Sequence, residues 1–213
     1  MQRPKTLLRD IFGFNEFRPG QSEIIDAVVD KQNVLAIMPT GGGKSLCFQL
    51  PALMGEGLTV VISPLIALMR DQVRGLQAAG VAAEAITSAN TEEETDKIFS
   101  ALNASKLRIL YLAPERLAST AMQSALHRYN VVSLIVDEAH CVSQWGHDFR
   151  PDYLRIGELR RSLGVPLAAF TATADEETRQ EIIDRLFDGI APSSFLHGFN
   201  RPSIHFSFVV KDN

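Results

Sequence analysis

The chain has 213 residues, 46% of them hydrophobic, and a formal net charge of −4 at pH 7. That suffices for the core of one α/β domain, and no run approaches the ~18 apolar residues of a membrane span. Two cysteines, Cys47 and Cys141, supply neither a disulfide framework nor a zinc site. The apolar stretch after Met1-Gln2-Arg3-Pro4-Lys5-Thr6 is too short for a signal peptide, so a reducing, cytoplasmic setting is expected. The acidic balance speaks against a nucleic-acid partner, but a groove that tracks one strand needs only a local basic strip, so composition leaves the partner open.

In chain order, Leu7, Leu8, Ile11 and Phe12 form the apolar face of a short helix, which leaves Gln21 on the surface if nothing else claims it. Residues 34–38 read as a strand feeding Met38-Pro39-Thr40-Gly41-Gly42-Gly43-Lys44-Ser45. A glycine-rich turn between strand and helix lets backbone N–H groups converge on phosphate oxygens, and the helix N-terminus adds a positive dipole end. Lys44 then reaches the β/γ-phosphates of ATP and the Ser45 hydroxyl ligates Mg²⁺. The strict pattern has glycine six places before the lysine, where this chain has Met38; a ligand-free turn is the competing reading. Cys47 falls in the following helix as a small core residue.

Further strands are expected at 59–63, 82–87, 108–112, 131–136 and 165–170, with helical patterns between most of them. Thr91-Glu92-Glu93-Glu94 and Thr173-Ala174-Asp175-Glu176 read as capping boxes opening helices that run to about Asn103 and Phe187. The continuous apolar run 131–136 ends in Asp137-Glu138-Ala139-His140. At the C-terminal edge of a parallel sheet, Asp137 can hold Mg²⁺ through water and Glu138 can orient and deprotonate an attacking water. A solvated loop with a helix-capping carboxylate is the alternative. Strand–helix alternation predicts an α/β fold with a mostly parallel sheet and helices on both faces. No repeat, linker or low-complexity tract interrupts it, and Phe199 to Phe206 begin a new apolar alternation that stops, as if another element should follow.

Five more strings fall at strand ends or beside these motifs: Phe12-Gly13-Phe14-Asn15-Glu16-Phe17-Arg18-Pro19-Gly20-Gln21, Ser63-Pro64-Leu65-Ile66-Ala67-Leu68-Met69, Ala113-Pro114-Glu115-Arg116-Leu117, Cys141-Val142-Ser143-Gln144-Trp145-Gly146-His147-Asp148-Phe149-Arg150-Pro151, and Thr171-Ala172-Thr173-Ala174. Together and in this order they resemble the first motor lobe of the RecQ family of superfamily 2 DNA helicases, from about Leu7 to Pro202, which implies a RecA-like P-loop NTPase domain. The Gln144–Arg150 stretch is the most specific part.

The resemblance implies an ATP- and Mg²⁺-dependent DNA helicase of 3′-to-5′ polarity, acting on single-stranded and partly duplex DNA. Phe14 would pack on adenine while Arg18 and Gln21 hydrogen-bond it, as an amide's paired donor and acceptor can. Gln144, Trp145, His147, Phe149 and Arg150 would sense single-stranded DNA, their aromatic rings stacking on bases; a lone Trp packed in the core is the alternative reading. Thr171 and Thr173, with His140, would link the catalytic carboxylates to the DNA path, although Thr173 also reads as a helix cap. Ser63 and Pro64, the Ala113–Leu117 string and Arg70 would meet the DNA backbone, while Arg74 reads as a solvated helix residue. The resemblance places the lobe at residues 1–203, its adenine-reading segment at about 7–33, and the start of a connection to a second helicase lobe at 204–213. Nothing in the chain resembles that lobe, its arginine motif, or the family's zinc and winged-helix modules. The chain is therefore expected to bind nucleotide and be nearly inactive. A superfamily 2 RNA helicase lobe, a P-loop kinase and a non-catalytic nucleotide-binding module are the competing readings.

Overall fold

Seven strands, all parallel, make one sheet in the computed structural model, which describes residues 4–144 and 148–196. They are β1 (Val34–Ile37), β2 (Leu58–Ile62), β3 (Ala83–Ile86), β4 (Ile109–Leu112), β5 (Val131–Val136), β6 (Leu167–Thr171) and β7 (Ser193–Leu196), in spatial order β3-β4-β2-β5-β6-β1-β7. Six were expected from the apolar runs, which a sheet covered on both faces requires. The seventh was not. Its Ser193-Ser194 start and alternating exposure suit an edge strand, and it pairs only with β1.

Side-chain alternation splits the core into two layers. On one face Val60, Ile62, Leu110, Leu112, Leu134 and Val136 pack against α5 (Glu92–Asn103), α6 (Thr120–Arg128), α7 (Leu154–Leu163) and α8 (Glu176–Phe187). On the other, Val34, Ala36, Val61, Tyr111, Ile135 and Phe170 meet α1 (Pro4–Phe12), α2 (Gln21–Val29), α3 (Leu46–Met54) and α4 (Ile66–Ala78). Phe48 of α3 tilts against Phe170 of β6 at 5.3 Å between ring centroids, fixing α3 over the β1–β6 pair. Cys47 is fully buried, as a small core residue would be, and burial pushes its thiol pKa up to about 12.

The capping box at Thr91 forms: its hydroxyl accepts from Glu94 N–H at 3.2 Å and Glu94 Oε2 accepts from Thr91 N–H at 2.9 Å. The second box does not. Asp175 caps α8, accepting from Thr178 N–H at 2.8 Å, while Thr173 is exposed two residues upstream. The helix starts two residues later than expected, and a carboxylate at its N-cap accepts the orphan N–H with a charge that suits the helix N-terminus. Trp145, Gly146, His147 and the 199–206 and 204–213 segments lie outside the described residues.

Candidate functional site

Four neighbouring strands, β2-β5-β6-β1, end on one edge of the sheet and deliver Ser63, Asp137, Thr171 and the glycine-rich turn in that order. Two backbone bonds continue the ladder past the strands: Met38 N–H donates to Thr171 O at 3.0 Å and Asp137 N–H to Ile62 O at 2.8 Å. Groups far apart in sequence are thereby held on one rigid rim. This is the edge where open α/β sheets gather ligands.

The turn keeps the backbone that phosphate cradling needs. Gly41 and Gly43 have φ of +79° and +81°, which L side chains rarely adopt. A Cβ on Gly43 would also strike Gln21, and one on Gly42 would come within 2.9 Å of Pro39 O. Lys44 Nζ donates to Met38 O at 3.4 Å, so the carbonyl of the non-glycine position anchors the lysine. Ser45 opens α3, and its hydroxyl accepts from Gln72 Nε2 at 2.7 Å.

Asp137 is 7% exposed and closely held. Ser63 Oγ donates to its Oδ2 at 3.2 Å, Glu138 N–H to its Oδ1 at 3.0 Å, and Tyr153 Oη to its backbone carbonyl at 2.9 Å. Burial, and then the charge of Glu138, push its carboxyl pKa up to about 6, against the opposing pull of these hydrogen bonds and of Lys44. Glu138 sits in the left-handed region at φ 49°. Such a backbone costs on the order of 1–3 kcal/mol in a non-glycine residue, and it turns the chain sharply away from the strand end. His140 Nδ1 lies 2.9 Å from Thr171 Oγ1 and 3.4 Å from Glu138 Oε2. Thr171 gives its one proton to Thr173 O at 3.0 Å, so it accepts from His140, which assigns the Nδ1–H tautomer.

Phe14, Arg18, Gln21, Lys44, Ser45, Asp137 and Glu138 line one cleft of about 420 Å³, together with Thr40, Gly41 and Gly43. Phe14 stands exposed at its rim. Gln21 is not a surface residue: it is 2% exposed, donates to Gly43 O at 3.2 Å and to Gly42 O at 3.4 Å, and accepts from Arg18 N–H at 2.8 Å. Arg18 Nη1 donates to Gly41 O. The segment expected to read adenine thus grips the turn expected to hold phosphate.

The donor set fits a nucleotide-bound Mg²⁺: one hydroxyl, one carboxylate, and room beside both for phosphate and water. Among the described residues no group of three or more His, Cys, Asp or Glu is placed to hold a metal alone.

The residues expected along DNA are less gathered. Ser63 departs from expectation, since its hydroxyl is 1% exposed and committed to Asp137 rather than open to phosphate. Pro64, Phe149 and Arg150 are half-buried and Gln144 is exposed. Arg70 is spent on Ala89 O at 3.2 Å, and Arg74 is a solvated helix residue paired with Asp71 at 3.4 Å. Trp145 and His147 lie outside the described residues. Sequence reasoning missed Tyr153, Gln72, Gln49 and Glu181, the last accepting from Ser143 Oγ at 2.6 Å and Gln144 N–H at 2.9 Å. A lone glutamine in the apolar run Leu46–Met54 was the one available signal.

Comparison with known proteins decides the family, since the DEAD/DEAH box helicase model matches residues 18–182. The chain belongs to the DEAD/DEAH box helicases. It is 44% identical over 206 residues to the ATP-dependent DNA helicase RecQ of Pasteurella multocida, covering 96% of this chain and 32% of that one. It is 42% identical over 214 residues to the RecQ of Haemophilus influenzae, covering 99% and 34%. The chain therefore spans about a third of the length of the curated relatives it matches. In fold it is similar to the Pyrococcus furiosus Hef helicase domain, with a TM-score of 0.68 at 21% identity over 91% of this chain and 40% of that one. The DUF1998 helicase MrfA gives 0.70 at 18% identity over 92% and 32%. No helix of the described residues is long and apolar enough to cross a membrane.

Proposed function

We propose that the chain is the N-terminal ATP-binding lobe of a RecQ-type helicase that couples ATP hydrolysis to 3′-to-5′ movement along single-stranded DNA and to duplex unwinding. The observation that carries this reading is the shared cleft: Lys44 and Ser45 from the end of β1 meet Asp137 and Glu138 from the end of β5, with Phe14, Arg18 and Gln21 completing its lining. Similarity to proteins named ATP-dependent DNA helicase RecQ supports DNA over RNA as the track.

In this reading Mg²⁺ supplies charge neutralisation at the phosphates when bound, held by Ser45 and, through water, Asp137. Lys44 meets the β/γ-phosphates, and the turn's N–H groups meet phosphate oxygens. Glu138 takes the proton of the attacking water, with His140 beside it passing its hydrogen bond to Thr171. Phe14, Leu65 and Leu68 are exposed apolar side chains, and Phe14 and Leu68 line the cleft; this supports a second lobe closing there. The chain alone is expected to bind nucleotide and hydrolyse it slowly.

ATP turnover of the whole protein with single-stranded DNA, RNA or duplex tests the track, and 3′- against 5′-tailed duplexes test polarity. Glu138→Gln is expected to bind nucleotide normally and lose about 10²–10⁴ in DNA-stimulated turnover, the range for a proton-transfer group. Equal stimulation by RNA would sink the DNA assignment. Undiminished turnover in Glu138→Gln would remove the proposed base.

A further inference from the structure

Ser45 ends a hydrogen-bond chain that runs back into the core. Gln72 of α4 donates from Nε2 to Ser45 Oγ at 2.7 Å, and its Oε1 accepts from Gln49 Nε2 at 2.6 Å and Tyr111 Oη at 2.8 Å. Gln49 Nε2 also donates to Tyr111 Oη at 2.8 Å. Turning the Gln72 amide over would set its NH₂ against that of Gln49 and leave the Tyr111 proton without an acceptor. Neither amide can therefore turn over alone; only both together could reverse the chain, and Gln72 would hold the Ser45 hydroxyl in either sense. Gln49 and Tyr111 are buried, so leaving either unsatisfied is costly and the chain resists rearrangement from that end.

At the other end, a hydroxyl has two lone pairs and one proton. Gln72 occupies one lone pair of Ser45, which leaves the other and the proton for groups in the nucleotide cleft, lined by both residues. We infer that Gln72 is a positioning residue for the metal ligand: its amide holds the Ser45 hydroxyl with a lone pair presented to the nucleotide-bound divalent cation, so cation affinity depends on how α4 is seated. The inference rests on the nucleotide-site reading above.

The placement of α4 makes this dependence consequential. It begins directly after Ser63-Pro64-Leu65, where β2 ends beside Asp137, so a displacement of that strand end carries the helix and its glutamine together. Ser45 and Gln72 also form part of the wall of a second cavity of about 320 Å³, lined by Ile11 and Phe12 of α1 and Leu76 of α4.

The test measures the affinity of a fluorescent ATP analogue for the whole protein in Mg²⁺ and in EDTA, for wild type, Gln72→Leu, Ser45→Ala and the double variant. The ratio of the two affinities is the readout; both titrations use one preparation, so a misfolded fraction cancels. Gln72→Leu is expected to lose about threefold to tenfold of the Mg²⁺-dependent tightening, the reach of one hydrogen bond, and to add nothing in the Ser45→Ala background. A ratio within twofold of wild type, or an effect of equal size without Ser45, overturns the inference. A wild-type protein that Mg²⁺ does not tighten at all defeats instead the nucleotide-site reading on which it rests.

Discussion

Asp137 shows how a single residue can be well held and still uncomfortable. Every protein group that touches its carboxylate is a neutral donor, and the nearby Glu138 repels it. Because its folded pKa, about 6, lies above the ordinary 3.8, ionising it works against the fold. The contribution to stability is fully present below the unfolded value and is lost as pH rises through about 6. Asp137→Asn is therefore expected to melt above wild type at pH 7.5 without nucleotide, by at most about 3 kcal/mol, with the gap closing towards pH 5. A cation reverses the sign, since Mg²⁺ needs the carboxylate ionised. Nucleotide affinity in Mg²⁺ should weaken as pH falls below 6, while affinity in EDTA changes far less. Parallel titrations between pH 5 and 8 check both arms. Gln21 invites a different measurement. Its amide is engaged by the turn's carbonyls, and under the proposed function adenine takes part of that bonding. Gln21→Ala should then weaken ATP more than GTP, whereas equal weakening would assign it to shaping the turn alone.

At the scale of elements, the loop following β5 is fastened from behind to the strand end that carries Asp137. Tyr153 is fully buried and donates to the carbonyl of Asp137, while Arg150 N–H donates to Cys141 O at 2.9 Å, closing the loop's neck. Tyr153→Phe keeps the ring and removes that one bond, so it is expected to cost about 0.5–1.5 kcal/mol in denaturant unfolding. It should also reduce stimulation of ATPase by single-stranded DNA more than basal turnover; an equal fall in both would make the bond purely structural. Legibility in the sequence followed the range of the interactions. The glycine-rich turn and the carboxylate pair were legible because their chemistry is written in adjacent residues after apolar runs. The Thr91 cap was legible for the same reason, and Asp175 displaced Thr173 because two candidate caps stood within one turn. Ser63, Gln72 and Tyr153 were not, since each acts on a partner 74, 27 or 16 residues away that only the sheet brings near. β7 was hidden by its polar, half-exposed residues, which periodicity does not separate from a loop.

Across the whole molecule, the cleft joins parts of the chain that have no local reason to stay together. Under the proposed function, nucleotide bridges β1 and β5 and so should stabilise the domain as one unit, by about 2.7 kcal/mol at a hundredfold excess over Kd. Thermal melting with and without Mg²⁺ and ATP analogue checks this. Lys44→Ala should melt near the wild-type ligand-free temperature and show little of the shift. A full shift in that variant would place the lysine outside the phosphate site.

The strand order also says when this cleft can come into being as the protein is made. β2, β3, β4 and β5 are neighbours in one half of the sheet and can pair once residue 136 has been synthesised, but β1, translated before all four, touches none of them. It reaches them only across β6, residues 167–171. The glycine-rich turn therefore leaves the ribosome before the strands it must face and meets them only after β6 is made. Under the proposed function, a nascent chain without β6 carries both nucleotide motifs but lacks the cleft that joins them.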